Sequence, residues 1–227
     1  LKRLAKIEGI EWIRMLYLYP KHFSDELLET IMTEPKVCKY IDMPLQHINN
    51  TVLQRMNRKD TRENIVALLH KIRNRSEHIT LRTSLIVGFP GETEEQFQEL
   101  ADFVKDIRFD HMGVFTYSQE DGTPAGMMEE QIPEEVKEER YHALMAIQAQ
   151  VSEEHNRDLE GTIHQGMIES IDEVEPGKFL ARGRLQMQAP DVDGNMYVED
   201  VTGLSEGDIV TVKVSQGFAY DVVVETV

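Results

Sequence analysis

Two glycines three residues apart, in Gly88-Phe89-Pro90-Gly91-Glu92, are the first place where this sequence could meet a small molecule. Without a Cβ, glycine lets backbone N–H and C=O groups come within reach of a ligand. The acids that follow, Glu92, Glu94 and Glu95, suit the positive end of a helix dipole but would repel a phosphate. A neutral or cationic ligand therefore fits this turn better than a nucleoside triphosphate; a plain βα loop capped by Thr93 is the alternative reading. Gln46 with His47, Tyr117 with Ser118, and Tyr19 with Pro20 are further polar or aromatic groups, each standing where an apolar, β-forming run ends.

The elements that must position these groups alternate. Residues 12–19, 40–43, 81–87 and 111–117 are rich in β-formers and read as strands. Between them lie helical patterns at 25–32 after Ser24, from Asn50 with Val52, Leu53 and Met56 inward, from the cap Thr61 to Arg75, and over 93–107 with Phe97, Leu100, Ala101, Val104 and Ile107 at helical spacing. Strict strand–helix alternation predicts βα units on a parallel sheet, whose ligands bind at the carboxyl ends of the strands. All the groups singled out above fall at such ends. Residues 1–7 read as the end of a helix. Pro133 opens a long charged helix over 134–158, with Val136, Tyr141, Leu144, Met145, Ile147 and Val151 as its apolar face. After Gly161 the period changes: short alternating segments at 163–171, 178–187, 195–198, 209–215 and 220–224, broken by turns at Glu175-Pro176-Gly177 and Asp193-Gly194, predict a small all-β barrel of OB-like size. The predicted boundary lies near Asn156, giving domains 1–155 and 156–227.

With 227 residues, 41% of them hydrophobic and 29% charged, the composition is that of a soluble globular protein with a proper core. There is no bilayer-length apolar run and no signal peptide. A net charge of −17 makes strong nucleic-acid binding unexpected and suits a basic protein partner. The predicted barrel is itself acidic, and its aromatics are few: Phe179, Tyr197, Phe218 and Tyr220. The single cysteine, Cys38, excludes an internal disulfide and any site built on several thiolates of this chain; it fits a reducing, cytoplasmic setting and reads as a packing residue.

Several stretches together resemble the radical S-adenosylmethionine methylthiotransferases. They are Asp42-Met43-Pro44-Leu45-Gln46-His47, Val52-Leu53-Gln54-Arg55-Met56-Asn57-Arg58, the run from Ser84 to Thr93, and Phe115-Thr116-Tyr117-Ser118 with Gly122-Thr123-Pro124-Ala125. The β-barrel is similar to that family's C-terminal TRAM domain. Within the family, Ala189-Pro190-Asp191-Val192-Asp193-Gly194-Asn195-Met196-Tyr197-Val198 and the Pro44-Leu45-Gln46-His47 form resemble the branch that modifies an aspartate of protein twelve of the small ribosomal subunit. The tRNA-modifying branch and a non-catalytic docking module are the alternatives.

The resemblance implies a partial TIM-like radical domain followed by a TRAM barrel, with S-adenosylmethionine as cofactor and two 4Fe-4S clusters in the full-length enzyme. A radical formed from the cofactor would take hydrogen from the aspartate β-carbon, which then receives a methylthio group. The family's cluster cysteines have no counterpart here, so the resemblance implies a C-terminal part of a longer enzyme, with a CxxxCxxC upstream of Leu1, no metal site and no catalytic residue of its own, inactive as it stands. Gly88, Phe89, Pro90, Gly91 and Glu92 match the stretch beside the adenine. Gln46 would face the ribose or satisfy loop backbone. Arg82 would meet the methionine carboxylate or pair with a nearby acid. His47, Tyr117 and Ser118 would line the substrate opening.

Overall fold

Alternating βα units do form the first half of the chain, and the reasons are local. The computed structural model describes residues 1–76 and 78–227. Helix α1 (Asp25–Thr33) precedes strand β1 (Tyr40–Asp42); α2 (Asn50–Arg55) and α3 (Arg62–Arg75) lead to β2 (Thr80–Val87), α4 (Glu94–Ile107) to β3 (His111–Thr116), and α5 (Glu134–Asp158) leaves the sheet. Asn49 caps α2, accepting the N–H groups of Thr51 and Val52, and Thr61 caps α3. Helix α4 opens on a reciprocal capping box between Thr93 and Gln96, so two end N–H groups are satisfied at once.

The three strands lie in the order β1-β2-β3, and β2 pairs with β3 in parallel, from Arg82 opposite His111 to Val87 opposite Thr116. Nearly every residue of β2 is buried, which only a strand covered on both faces requires. The core around it is built from Ile41, Leu45, Leu53, Leu69, Leu85 and Leu100, each at most 1% exposed. With three strands of a possible eight, this is a partial TIM-like sheet.

The second half closes a five-stranded barrel, β4 (Ile163–Glu175), β5 (Lys178–Leu185), β6 (Met196–Val198), β7 (Ile209–Gly217) and β8 (Val222–Thr226), in the order β4-β5-β6-β8-β7. Alternate residues fill it: Ile168, Ala181, Met196, Val198, Val212, Val214, Val222 and Val224. At Gly183 a side chain is impossible, because its Cβ would overlap the Met167 carbonyl across the β4–β5 pair.

The chain separates into two compact units that do not follow chain order: Met15–Thr33 with Ile41–Gln148, and Leu1–Arg14 with Glu34–Tyr40 and Ala149–Val227. The barrel unit thus includes two early segments. Ile13 bridges Val37, Trp12 packs on Cys38, Tyr40 and Ala189, the Arg14 guanidinium stacks 4.3 Å from the Tyr40 ring centre, and the Tyr40 hydroxyl donates to Asp193 Oδ2 at 2.7 Å.

Three expectations need correction. Residues 12–19 are not a strand: apart from the Ile13 bridge the run is irregular, because Tyr17 turns left-handed (φ 59°) and its N–H goes to the Asp42 side chain instead of a ladder. Residues 1–7 contain only a short 3-10 turn, Leu4–Lys6. Helix α5 has its expected span, but its most buried face is not the apolar one: Lys137, Arg140, Leu144, Gln148, Val151 and Ser152 are buried, while Val136, Tyr141, Met145 and Ile147 are half-exposed. Helix periodicity locates a face by hydrophobicity, and here polar side chains with specific partners occupy it.

Cys38 is buried, and burial pushes its thiol up from the ordinary range. Since the thiolate is the reactive species, alkylation by iodoacetamide should be at least about tenfold slower in the native chain than in denaturant. Equal rates would show that Cys38 is accessible.

Candidate functional site at the strand tips

The turn after β2 is shaped from inside. Gly88 (φ +71°) and Gly91 (φ +74°) take left-handed conformations, and each lacks room for a Cβ: one on Gly88 would overlap the Lys137 stem, one on Gly91 the Arg55 guanidinium and the Glu130 carboxylate. Glu92 N–H closes the turn on the Phe89 carbonyl at 2.9 Å, and Gly91 N–H donates to the Glu130 carbonyl at 2.8 Å. Arg55 donates to the Pro90 carbonyl and pairs with Glu130, so α2 and the segment before α5 hold the turn from outside.

Glu92 does not face outward with Glu94 and Glu95, as a string of acids suggests. It precedes the N-cap and turns inward, 2% exposed. Its Oε2 accepts the Gly88 N–H at 3.1 Å, and its Oε1 accepts from Arg140 Nη1 at 2.8 Å. The acid thus stabilises the turn's backbone, and Arg140 compensates its charge.

The neighbouring strand ends meet this turn. Gln46 bridges Leu85: its N–H donates to the Ser84 carbonyl at 2.9 Å, and its carbonyl accepts from Ile86 N–H at 2.8 Å. Gln46 does this with φ 69°, a conformation unfavourable for a residue with a Cβ and typically retained where function requires it. On the other side, Tyr117 N–H donates to the Val87 carbonyl at 2.9 Å, and the Tyr117 ring meets Phe89 edge-on at 5.3 Å between centres. Gln46, the glycine turn and Tyr117 therefore sit at adjacent tips of one parallel sheet. Ser118 is exposed beside them, its hydroxyl donating to Glu120.

Two of the expected residues are turned inward. His47 is fully buried and not at an opening; its Nδ1 accepts the Asn49 N–H at 3.0 Å, which leaves the proton on Nε2, 3.5 Å from Glu92 Oε2. Arg82, for which two partners were open, pairs with the acid: its Nη1 donates to Asp42 Oδ1 at 2.9 Å and to Ser84 Oγ at 3.2 Å, with both members of the ion pair buried.

Sequence reasoning missed two cations at these tips. Arg58 donates to the Pro44 carbonyl at 2.7 Å and lies 4.6 Å over the Tyr19 ring, while its buried Nε has no acceptor among the described residues. Lys137, near the start of α5, is 2% exposed. Arg58 stands with Lys59 just after α2 and was visible as a basic residue; nothing in the charge pattern of α5 distinguishes Lys137 from its solvated neighbours.

A group with adenosyl and amino-acid parts would find matching chemistry here. The glycine turn admits close approach of a flat ring, Gln46 offers both donor and acceptor for hydroxyls, and the unsatisfied Arg58 Nε suits a carboxylate. Among the described residues, no group of three or more His, Cys, Asp or Glu side chains is placed to hold a metal ion. Likewise, no helix is long and apolar enough to cross a membrane.

Comparison with known proteins identifies both parts of the chain. Residues 1–104 match the Radical SAM superfamily and residues 161–227 the TRAM domain. The chain is 47% identical over 223 residues to the ribosomal protein uS12 methylthiotransferase RimO of Clostridium botulinum (strain Loch Maree / Type A3), covering 98% of this chain and 49% of that protein. It is 48% identical over 228 residues to the protein of the same name from Trichlorobacter lovleyi, covering 100% of this chain and 50% of that one. The chain thus spans about half the length of these relatives. Among solved structures, coproporphyrinogen III oxidase (HemN) from Escherichia coli, a radical SAM enzyme, superposes with a TM-score of 0.52 at 22% identity, covering 62% of this chain and 32% of that one, a likeness of fold. The chain thus joins a Radical SAM segment, residues 1–104, to a C-terminal TRAM domain, residues 161–227, and is RimO-like in sequence over its whole length.

Proposed function

We propose that this chain forms the adenosyl-binding side and the substrate-docking barrel of a methylthiotransferase that modifies the β-carbon of an aspartate in protein uS12. One observation carries the reading: Gln46, strained into a left-handed conformation, Gly88 and Gly91 with their Cβ space filled, and Tyr117 share neighbouring tips of one parallel sheet. In this reading Gln46 meets the ribose, the turn from Gly88 to Gly91 lies along the adenine, and Arg58 takes the methionine carboxylate. Glu92 acts behind the turn as a positioning residue. Tyr117 and Ser118 border the opening for the substrate.

S-adenosylmethionine, when bound beside a reduced 4Fe-4S cluster, supplies the radical that abstracts hydrogen from an unactivated carbon. The residues of this chain orient the adenosyl group and exclude water. With a single thiol, buried at Cys38, the chain supplies no cluster ligands and on its own would bind the cofactor without turning it over.

The barrel's acidic surface is the proposed dock for the basic ribosomal protein. The test is direct. The chain should bind purified uS12 and prefer it to tRNA at moderate ionic strength. Preference for tRNA, with steep salt dependence, would overturn the ribosomal assignment in favour of a tRNA substrate.

A further inference from the structure

Lys137 is the buried cation that the reading above leaves without a task. Its stem crosses the face of Gly88, where a Cβ would overlap it, and its Nζ lies 5.4 Å from the centre of the Tyr117 ring. The Tyr117 hydroxyl is buried and has no hydrogen-bond partner among the described residues. A buried ammonium and a buried phenol O–H without an acceptor both carry a cost that folding does not recover unless something meets them.

The acids nearby leave the phenol unmet. Glu92 is held by Gly88 N–H and Arg140, and Glu130 by Arg55. Lys137 pairs at 2.6 Å with Glu134, one turn earlier on the same helix, but that carboxylate is 75% exposed. That pair engages the ammonium, and the Tyr117 hydroxyl is the group left without an acceptor among the described residues. In a chain of net charge −17, a cation and a donor kept together at the tips of β2 and β3 match the chemistry of an incoming carboxylate.

We propose that Lys137 and Tyr117 form a carboxylate-recognition subsite for the acidic side chain of the polypeptide substrate. This rests on the methylthiotransferase reading. Two carboxylates could reach the strand tips, that of the substrate side chain and that of the cofactor's methionine. Arg58, with its unsatisfied Nε, serves the second; Lys137 and Tyr117, on the β3 side, serve the first. The subsite would let the enzyme select aspartate over its uncharged isostere, because an amide cannot satisfy the ammonium charge.

The test measures binding and needs no turnover. Fluorescence anisotropy is recorded for a labelled uS12 peptide carrying the target aspartate and for the same peptide with asparagine there, with S-adenosylmethionine affinity followed separately by calorimetry. The native chain should prefer the aspartate peptide by about tenfold, the scale expected for one charge-assisted contact. Lys137→Met, which keeps the stem against Gly88, should abolish the preference while cofactor affinity stays unchanged, and Lys137→Arg should restore part of it. Tyr117→Phe, which keeps the ring against Phe89, should reduce the preference and serves as the second variant if Lys137→Met does not fold. An aspartate preference that survives both Lys137→Met and Tyr117→Phe overturns the subsite. So does a loss of cofactor affinity in Lys137→Met with the preference intact, which would assign the ammonium to the methionine carboxylate. Binding of both peptides equally by the native chain overturns the subsite alone, whereas binding of neither peptide overturns the methylthiotransferase reading with it.

Discussion

Glu92→Ala is expected to destabilise the α/β unit by about 3–5 kcal/mol, the range for removing one partner of a buried ion pair. The carboxylate is 2% exposed and receives two donors, the Gly88 N–H and Arg140 Nη1. Truncation leaves the Gly88 N–H without an acceptor and leaves the buried Arg140 with Glu94, a carboxylate 72% exposed, as its remaining ion partner. Glu92→Gln removes the charge but keeps an oxygen acceptor and should cost less, about 1–3 kcal/mol. Denaturant unfolding of both variants measures the difference. The turn should loosen as well, so S-adenosylmethionine affinity should fall in parallel in both variants. Full stability in Glu92→Ala would show that Arg140 finds compensation elsewhere and that the acid does not shape the turn.

The second large effect is expected at Asp42. Its Oδ1 faces the Arg82 guanidinium, and its Oδ2 accepts the Tyr17 N–H at 2.8 Å. Asp42→Ala therefore removes the anion opposite a buried cation and loosens the left-handed Tyr17 turn, which keeps only the Leu18 N–H bond to the residue 42 carbonyl at 2.8 Å, for an expected loss of about 3–5 kcal/mol. Adding Arg82→Met should recover part of that loss, because the buried cation goes too and an apolar side chain of similar length fills the space. If the two single losses simply add in the double variant, the pair is not coupled and the account fails.

These effects bear on how far the sequence alone could be read. The strand–turn–helix from β2 to α4 was legible because each signal is local: an apolar run, two glycines and the Thr93–Gln96 cap. The barrel was legible because alternation survives in every strand. Residues 12–19 misled, since their β-forming composition carries no sign of the Asp42 side chain that captures the Tyr17 backbone. The site was legible at its backbone and opaque in its charges. Gly88, Gly91, Gln46 and Tyr117 announce themselves by type and by place at a strand end. Whether a given Arg or Lys turns in or out depends on partners distant in the chain, as with Arg140 on Glu92 and Arg82 on Asp42. A spacing rule cannot express that dependence.

The barrel unit draws on Trp12, Arg14, Cys38 and Tyr40 from the start of the chain, and on Gln186, Ala189 and Asp193 from near its end. On a ribosome, those early residues emerge long before the strands they pack against. They must therefore wait uncovered until residues 186–193 have followed them. It follows that residues 161–227 made by themselves would lack part of their own packing, and that a nascent chain stalled after α4 would display Trp12 and Tyr40 to whatever chaperone is at hand.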